Sequence, residues 1–351
     1  MIRSYLNRFI RKPAKTTPHI QPDGEYPVAV QLESTGVCNF RCTMCSTTYF
    51  PFNKTLEDAV FDKVLEATPH ITALVPNVGG EPLLYGKFLP MLEKLKAVNP
   101  DLFIAFNTNA SLFTEDICRA FVHLGVNEII VSADGATAET YNAIRVGGDF
   151  DTMVRNAGMM FRVKGPAPLP LLAMLMVISR QNAHEMPQFV TLAAKLGVRK
   201  ILINGVEPYT SEHAANACYS ERPDPAVAAL IDEAQREAQR NGMEFLAPSL
   251  EVTREKRYCP ALSVCIVRAD GEVYPCSPYS TGYQFYYHGE LTRHLGPRSF
   301  GNLKERTLHD IWNSATYREF RNAIREHKLH PECRHCLLAE GIICNVQIYP
   351  I

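Results

Sequence analysis

Residues 28 to 45 read Val28-Ala29-Val30-Gln31-Leu32-Glu33-Ser34-Thr35-Gly36-Val37-Cys38-Asn39-Phe40-Arg41-Cys42-Thr43-Met44-Cys45. The β-rich run Val28 to Glu33 predicts a strand. The loop after it carries cysteines at Cys-x3-Cys-x2-Cys spacing. Three thiolates on one compact loop suit three irons of a cubane, leaving a fourth iron open to a chelating ligand. Ordinary buried thiols are one competing reading, though three at this spacing directly after a strand are unusual by composition. A structural zinc ion is another, yet it wants four ligands, and no nearby His or Cys completes the set.

Outward from this segment, β-rich runs alternate with amphipathic helical stretches. Further strands are predicted at Ala73 to Val78, Phe103 to Thr108, Glu128 to Ser132, Leu171 to Ile178 and Lys200 to Ile203. Helices are expected between them, among them Leu56 to Ala67, Phe88 to Val98, Thr114 to Leu124, Met186 to Leu196 and Pro225 to Asn241. Gly125, Gly197 and Gly242 stand where helices end. This is the rhythm of β-α units on a parallel sheet. Six units fall short of the eight of a closed barrel, so the expected α/β fold is an incomplete, splayed (β/α)6 TIM-type barrel over residues 28–250. Its open side would admit a large substrate, and its chemistry should gather at the strands' carboxyl ends.

The rhythm changes after about Leu250. Ser263 to Cys276 reads as a hairpin turning at Ala269-Asp270-Gly271-Glu272, and a helix is predicted from about Leu308 to His327. A small cysteine-rich α+β domain over 251–351 follows. Residues 1–27 form a basic amphipathic extension: Ile2, Tyr5, Leu6, Phe9 and Ile10 recur at helical spacing among Arg3, Arg8, Arg11 and Lys12. Such a helix either caps the next domain or lies on a membrane surface or partner.

Across 351 residues, 36 basic side chains balance 37 acidic ones, so nothing global asks for nucleic acid. No apolar run reaches the roughly 18 residues of a membrane span, and no secretory leader is evident. A soluble, cytoplasmic protein with reduced thiols is expected. Of 11 cysteines, all but Cys118 and Cys218 fall between Cys38 and Cys45 or between Cys259 and Cys344.

Further motifs follow the cysteine loop in order. Gly79-Gly80-Glu81-Pro82 ends the second strand, Asn107 and Asn109 the third, and Val131-Ser132-Ala133-Asp134-Gly135 the fourth, ahead of Ile144-Arg145-Val146-Gly147-Gly148; Ile203-Asn204-Gly205-Val206 ends the sixth. With the cysteines, these resemble the radical S-adenosylmethionine superfamily over about residues 28 to 250. The resemblance implies a 4Fe-4S cluster on Cys38, Cys42 and Cys45 and S-adenosylmethionine on its open iron. Gly79, Gly80, Glu81 and Pro82 would take the methionine amino group, Ser132 the nucleoside and Arg145 the carboxylate. Asp134, Asn107 and Asn109 are further polar candidates, and Ile203 and Gly205 belong to a segment that packs the adenine. Met44 stands where relatives often carry an aromatic ring, and a thioether is an acceptable substitute.

The carboxyl region holds Cys259, Cys265, Cys276, Cys333, Cys336 and Cys344. Cysteines from a hairpin and a distant tail suggest a metal site that staples a core-poor segment, either zinc or iron-sulfur. Their order, with Gly301-Asn302-Leu303 and Leu308-His309-Asp310-Ile311-Trp312-Asn313, resembles SPASM and twitch extensions. That implies one auxiliary 4Fe-4S cluster on Cys259, Cys276, Cys333 and Cys336, with Cys265 and Cys344 as alternates. The implied activity is reductive cleavage of S-adenosylmethionine to a 5'-deoxyadenosyl radical that abstracts hydrogen, fed by a flavodoxin- or ferredoxin-type donor. Oxidation or epimerisation would follow, with Cys218 a candidate hydrogen donor. Residues 1–27 are too few for a winged-helix peptide-recognition domain, which turns the expectation toward a small polar metabolite such as a sugar or aminocyclitol. The alternatives are a maturase acting on a peptide or protein, and a non-enzymatic iron-sulfur or zinc protein.

Overall fold

The structure is a computed structural model describing residues 24–252, 259–281, 284–287, 290–293, 297–328, 330, 333 and 336–342. All six predicted strands form: β1 (Ala29–Leu32), β2 (Ala73–Val75), β3 (Phe103–Thr108), β4 (Glu128–Ser132), β5 (Leu171–Ile178) and β6 (Lys200–Gly205). Each pairs in parallel with the next. A seventh parallel strand, β7 (Glu244–Leu246), follows the Pro225–Arg240 helix; at three residues it is too short to stand out as a β-rich run. With β8 (Val264–Val267) and β9 (Val273–Tyr274), the full order is β7-β6-β5-β4-β3-β2-β1-β8-β9. Among the described residues the two edge strands do not pair with each other, so the barrel is partial.

Strand side chains alternate between two layers, as the pleat requires. Leu74, Ile104, Ile129, Met174 and Ile203 point outward into the main core, where Leu92, Phe121 and Phe189 of the surrounding helices meet them. Each large apolar side chain buried there contributes roughly 1.5–3 kcal/mol. Val75, Ala105, Ile130, Ala173 and Leu202 point inward and fill the barrel's floor. Residues two positions further along each strand therefore open onto a cavity above that floor. Helix starts are fixed by side-chain caps: Thr114 accepts from Ile117 N–H, Thr137 from Thr140 N–H and Asp149 from Thr152 N–H.

The hairpin expected between Ser263 and Cys276 is present as β8 (Val264–Val267) and β9 (Val273–Tyr274). Gly271 takes φ +93° in its turn, a region that suits glycine. β8 lies beside β1 in parallel, Ala29 opposite Val264 and Leu32 opposite Val267. The sheet thus runs on past residue 250 into the cysteine-rich region. β10 (Gln284–Tyr287) and β11 (Glu290–Arg293) form a separate antiparallel pair. The helix predicted from Leu308 to His327 is two helices, Leu308–Trp312 and Ala315–Arg325. Ser314 causes the break, because its hydroxyl accepts the Tyr317 N–H and caps the second helix.

Trp312 donates its indole N–H to Gly24 O at 3.0 Å, Asn313 donates to Glu25 O at 2.7 Å, and Tyr26 stacks on His70. The amino-terminal segment is tied in this way to the carboxyl region. The amphipathic stretch Ile2 to Ile10, and Cys344, lie outside the described residues. Among the described residues, no helix is long and apolar enough to cross a membrane.

Candidate active site

The cysteine loop leaves β1 and folds back against the start of the segment after β4. Arg41 N–H donates to Val146 O and Thr43 N–H to Ile144 O, while Cys45 N–H donates to Cys42 O. Gly80 (φ +67°) packs so closely beneath the loop that a Cβ there would lie 2.4 Å from Thr35 O. The three thiols influence one another electrostatically. Burial pushes Cys42 up to about 12 and raises Cys38 as well. The Arg145 guanidinium stands 3.8 Å from Cys42 Sγ and opposes that rise. Among the described residues, no three His, Cys, Asp or Glu side chains converge on a single ion. Three thiols that sense one another without converging, with a buried cation beside them, fit a multi-iron cubane better than one zinc.

Above the barrel floor lies a cavity of about 250 Å³, lined by all three cysteines and by Met44, Gly79, Gly80, Glu81, Asn107, Asn109, Ser132, Arg145 and Gly205. Nine expected ligand-binding residues are thus brought together. Asn107 Oδ1 is buried and has no hydrogen-bond partner among the described residues, an acceptor available to a ligand in the cavity. Glu81 is 2% exposed, and both its oxygens are already engaged: Oε1 accepts from Thr108 Oγ1 at 2.7 Å and Oε2 from Asn109 N–H at 2.8 Å. Desolvation raises its pKa against those hydrogen bonds. Oε1 also takes the Leu83 N–H at 3.5 Å, so the lone pair left for a ligand is on Oε2. Asn109 is chiefly a brace, donating to Asn39 Oδ1 and accepting from the N–H and hydroxyl of Ser111.

Four expected residues do not line the cavity. Pro82 is buried at the start of a 3-10 turn, Pro82–Leu84. Asp134 is fully buried beneath Arg145, its Oδ2 2.6 Å from Nη2 and its Oδ1 accepting the Val177 N–H. It therefore holds the arginine in place. Burial favours loss of the Arg145 charge, but the Asp134 carboxylate outweighs it and raises the pKa. Ile203 points outward into the helix-packed core, because strand alternation turns Asn204 inward instead. Cys218 packs in that same outer core, 3% exposed, with burial raising its thiol to about 11. Asn77, Asn204, Glu207 and Tyr209 line the cavity and were not anticipated. For Asn77 and Asn204, the period-two alternation was the available signal.

In the carboxyl region, Cys259 and Cys276 each feel the thiols of Cys333 and Cys336, and burial raises both. These are the four cysteines expected to act together. Cys265 sits apart in β8, fully buried beside Arg321, with its thiol raised to about 12. The tail beyond Cys336 returns to the cavity's rim. Gly205 N–H donates to Ile342 O at 3.0 Å, Ser249 N–H to Gly341 O at 2.9 Å, and Leu337 and Ile342 pack with Tyr209 and Val252.

Two family descriptions match this chain: the radical SAM superfamily over residues 32–193 and the SPASM iron-sulfur cluster-binding domain over residues 259–337. The tungsten-containing aldehyde ferredoxin oxidoreductase cofactor-modifying protein of Pyrococcus furiosus is 27% identical over 326 residues, spanning 88% of this chain and 87% of its own length. Mycofactocin maturase MftC of Mycobacterium tuberculosis is 24% identical, spanning 84% of this chain and 73% of its own. The fold is similar to that of Streptococcus suis SuiB bound to precursor peptide SuiA, with TM-score 0.64 and 12% identity over 97% of this chain and 81% of that one. The cysteine loop, the cavity it lines and the matched regions on both sides of residue 250 make this chain a member of the radical S-adenosylmethionine superfamily that carries a carboxyl-terminal SPASM domain.

Proposed function

We propose that this radical S-adenosylmethionine enzyme is a maturase that modifies a peptide or protein substrate. Cys38, Cys42 and Cys45 would hold the 4Fe-4S cluster, and Cys259, Cys276, Cys333 and Cys336 one auxiliary 4Fe-4S cluster. A reduced cluster supplies one electron to bound S-adenosylmethionine, yielding methionine and a 5'-deoxyadenosyl radical that abstracts hydrogen from substrate. The protein's part is orientation. Arg145, held by Asp134, offers its charge to the methionine carboxylate, Glu81 and the Gly79-Gly80 backbone take the ammonium, and Asn107 accepts from a ligand donor. The inner faces of Leu175 and Val177 keep water from the reacting centre.

What carries the reading is that the tail from Cys336 to Ile342 closes the rim of the same cavity the three-cysteine loop lines. A substrate at that rim would lie against both the three-cysteine loop and the segment that follows Cys336. The open barrel edge leaves room for a chain-like substrate. The expected small polar metabolite lacks support among the relatives described, whereas a maturase matching over 84% of this chain favours the peptide reading. A flavodoxin- or ferredoxin-type donor would reduce the first cluster.

The test is anaerobic reconstitution followed by S-adenosylmethionine and dithionite. We expect about eight irons per chain and 5'-deoxyadenosine that disappears in Cys38→Ala. Mass spectrometry with peptides encoded by neighbouring genes should find a modified peptide; a modified sugar or aminocyclitol and unmodified peptides would overturn the substrate assignment.

A further inference from the structure

The Ala315–Arg325 helix carries one ring into the layer behind the carboxyl-region cysteines. The Ser314 cap fixes the first turn, and Tyr317 stacks on Phe300 with centroids 4.5 Å apart while meeting Trp312 edge-on at 5.0 Å. The ring is fully buried, yet among the described residues its hydroxyl has no hydrogen-bond partner. A buried hydroxyl left unpaired costs roughly 1–3 kcal/mol, so its persistence in the core points to an acceptor that arrives with something else. Its surroundings name the chemistry. Besides Arg321, the groups acting on the phenol are the sulfurs of Cys265, Cys276 and Cys259, and burial keeps it protonated. None of these thiols accepts from it in the metal-free protein.

A second feature of the same helix agrees. Arg321, one turn on, is 4% exposed, lies 3.8 Å from the Trp312 ring centroid and 5.0 Å from that of Tyr317, and donates to Trp312 O. Among the described residues it forms no ion pair with a carboxylate. Burial lowers its pKa to about 10, which leaves it cationic at neutral pH. A buried cation and a buried hydroxyl that find no anionic partner or acceptor among the described residues, both influenced by cysteine sulfurs, complement an anionic iron-sulfur centre.

We propose that the Tyr317 hydroxyl donates a hydrogen bond to a sulfur of the auxiliary cluster and raises its reduction potential. This rests on the reading that Cys259, Cys276, Cys333 and Cys336 hold that cluster. The reduced cluster carries one more negative charge than the oxidised one, so a fixed donor stabilises it more. Tyr141, the other tyrosine among the described residues with a buried unpartnered hydroxyl, lies on the barrel side near Arg145, Asp134 and Cys42. It provides the control.

The experiment is potentiometry followed by electron paramagnetic resonance on the full chain with both clusters, the auxiliary signal being the one lost in Cys276→Ala. Tyr317→Phe should keep the iron content and lower the auxiliary midpoint. A tenfold fall in the reduced-to-oxidised ratio at fixed potential corresponds to about 59 mV for one electron. Tyr141→Phe should leave that midpoint in place. Metal-free Tyr317→Phe should melt no lower than wild type, since it loses only an unpaired hydroxyl. An unchanged auxiliary midpoint in Tyr317→Phe, an equal shift in Tyr141→Phe, or a destabilised metal-free Tyr317→Phe overturns the proposal. About four irons per chain with no Cys276-dependent signal would instead remove the ligand assignment and the proposal with it.

Discussion

Glu33 stands at the end of β1 and Arg268 at the end of β8, so their ion pair joins the barrel to the cysteine-rich region. Arg268 Nε lies 2.7 Å from Glu33 Oε2, which also accepts the Ala269 N–H at 3.2 Å; Nη1 donates to Ser280 O, and the guanidinium covers the Phe52 ring at 3.7 Å. Glu33 is 2% and Arg268 5% exposed. In Glu33→Gln the amide keeps the shape and can still accept, but the arginine is left buried without its counter-charge. Breaking one partner of a buried pair costs about 3–5 kcal/mol, and the retained hydrogen bond puts this case near 3. For 351 residues, an unfolding entropy of about 2.1 cal/mol/K per residue gives about 0.7 kcal/mol/K, hence a drop in melting temperature of about 4 °C. Scanning calorimetry on metal-free protein reads this directly. The double variant Glu33→Leu/Arg268→Met should recover most of the loss, because apolar replacement of both charges is often neutral. A Glu33→Gln protein melting within 1 °C of wild type, or a double variant less stable than the single, would refute this account of the junction.

Three further outcomes are expected. Asn204→Ala should weaken S-adenosylmethionine binding about tenfold by equilibrium dialysis, the worth of about one good hydrogen bond, whereas Ile203→Ala should cost about 2–5 kcal/mol in urea unfolding and leave that affinity alone. Glu185 accepts from Ala136 N–H (2.5 Å), Thr137 N–H (3.2 Å), Thr137 Oγ1 (2.7 Å) and Thr140 Oγ1 (2.6 Å); burial alone would raise its pKa, but these donors bring it below the ordinary value. Its stabilisation is therefore present above the unfolded pKa of about 4.3 and lost as pH falls through the lower folded value, so Glu185→Gln should melt lower at pH 7 and show a shallower acid dependence. Cys218→Ala should leave the yield of 5'-deoxyadenosine and the stereochemistry of the product unchanged, because the thiol faces the outer core; loss of product in that variant would return it to the chemistry.

The parts of this molecule legible in the sequence are those governed by short-range pattern. Strand and helix periodicity marks the barrel units, the cysteine loop shows itself by spacing, and the glycine pair after the second strand supplies Gly80, whose φ of +67° suits glycine. What escaped depends on direction within an element or on distant partners. Ile203 and Asn204 share one motif, yet the pleat sends neighbouring residues to opposite faces, and Asn204 is the one that reaches the cavity. Asp134 carried the right type of side chain in the right motif, yet its carboxylate turns down to Arg145, a partner 11 positions later. Ser314 was legible as a helix breaker, since serine before a helical run is an N-cap, but apolar residues on either side hid the break. The pairing of β8 with β1 had no local signature at all, because it joins segments more than 200 residues apart.

That long-range pairing bears on how a substrate reaches the chemistry. Domains that open about a hinge meet through modest, polar interfaces and flexible linkers. Here the two regions share one sheet, a buried ion pair, the Trp312 and Asn313 bonds to Gly24 and Glu25, and the Gly205 and Ser249 bonds to the tail. Opening between them would break contacts at several separate places, the buried Glu33–Arg268 pair among them, and buried contacts belong to the parts of a structure that open last. Access through the cavity's rim demands none of this. The separation between the two cysteine sets is accordingly a property of one packed unit, and in the peptide reading a substrate would have to fit that separation rather than induce it.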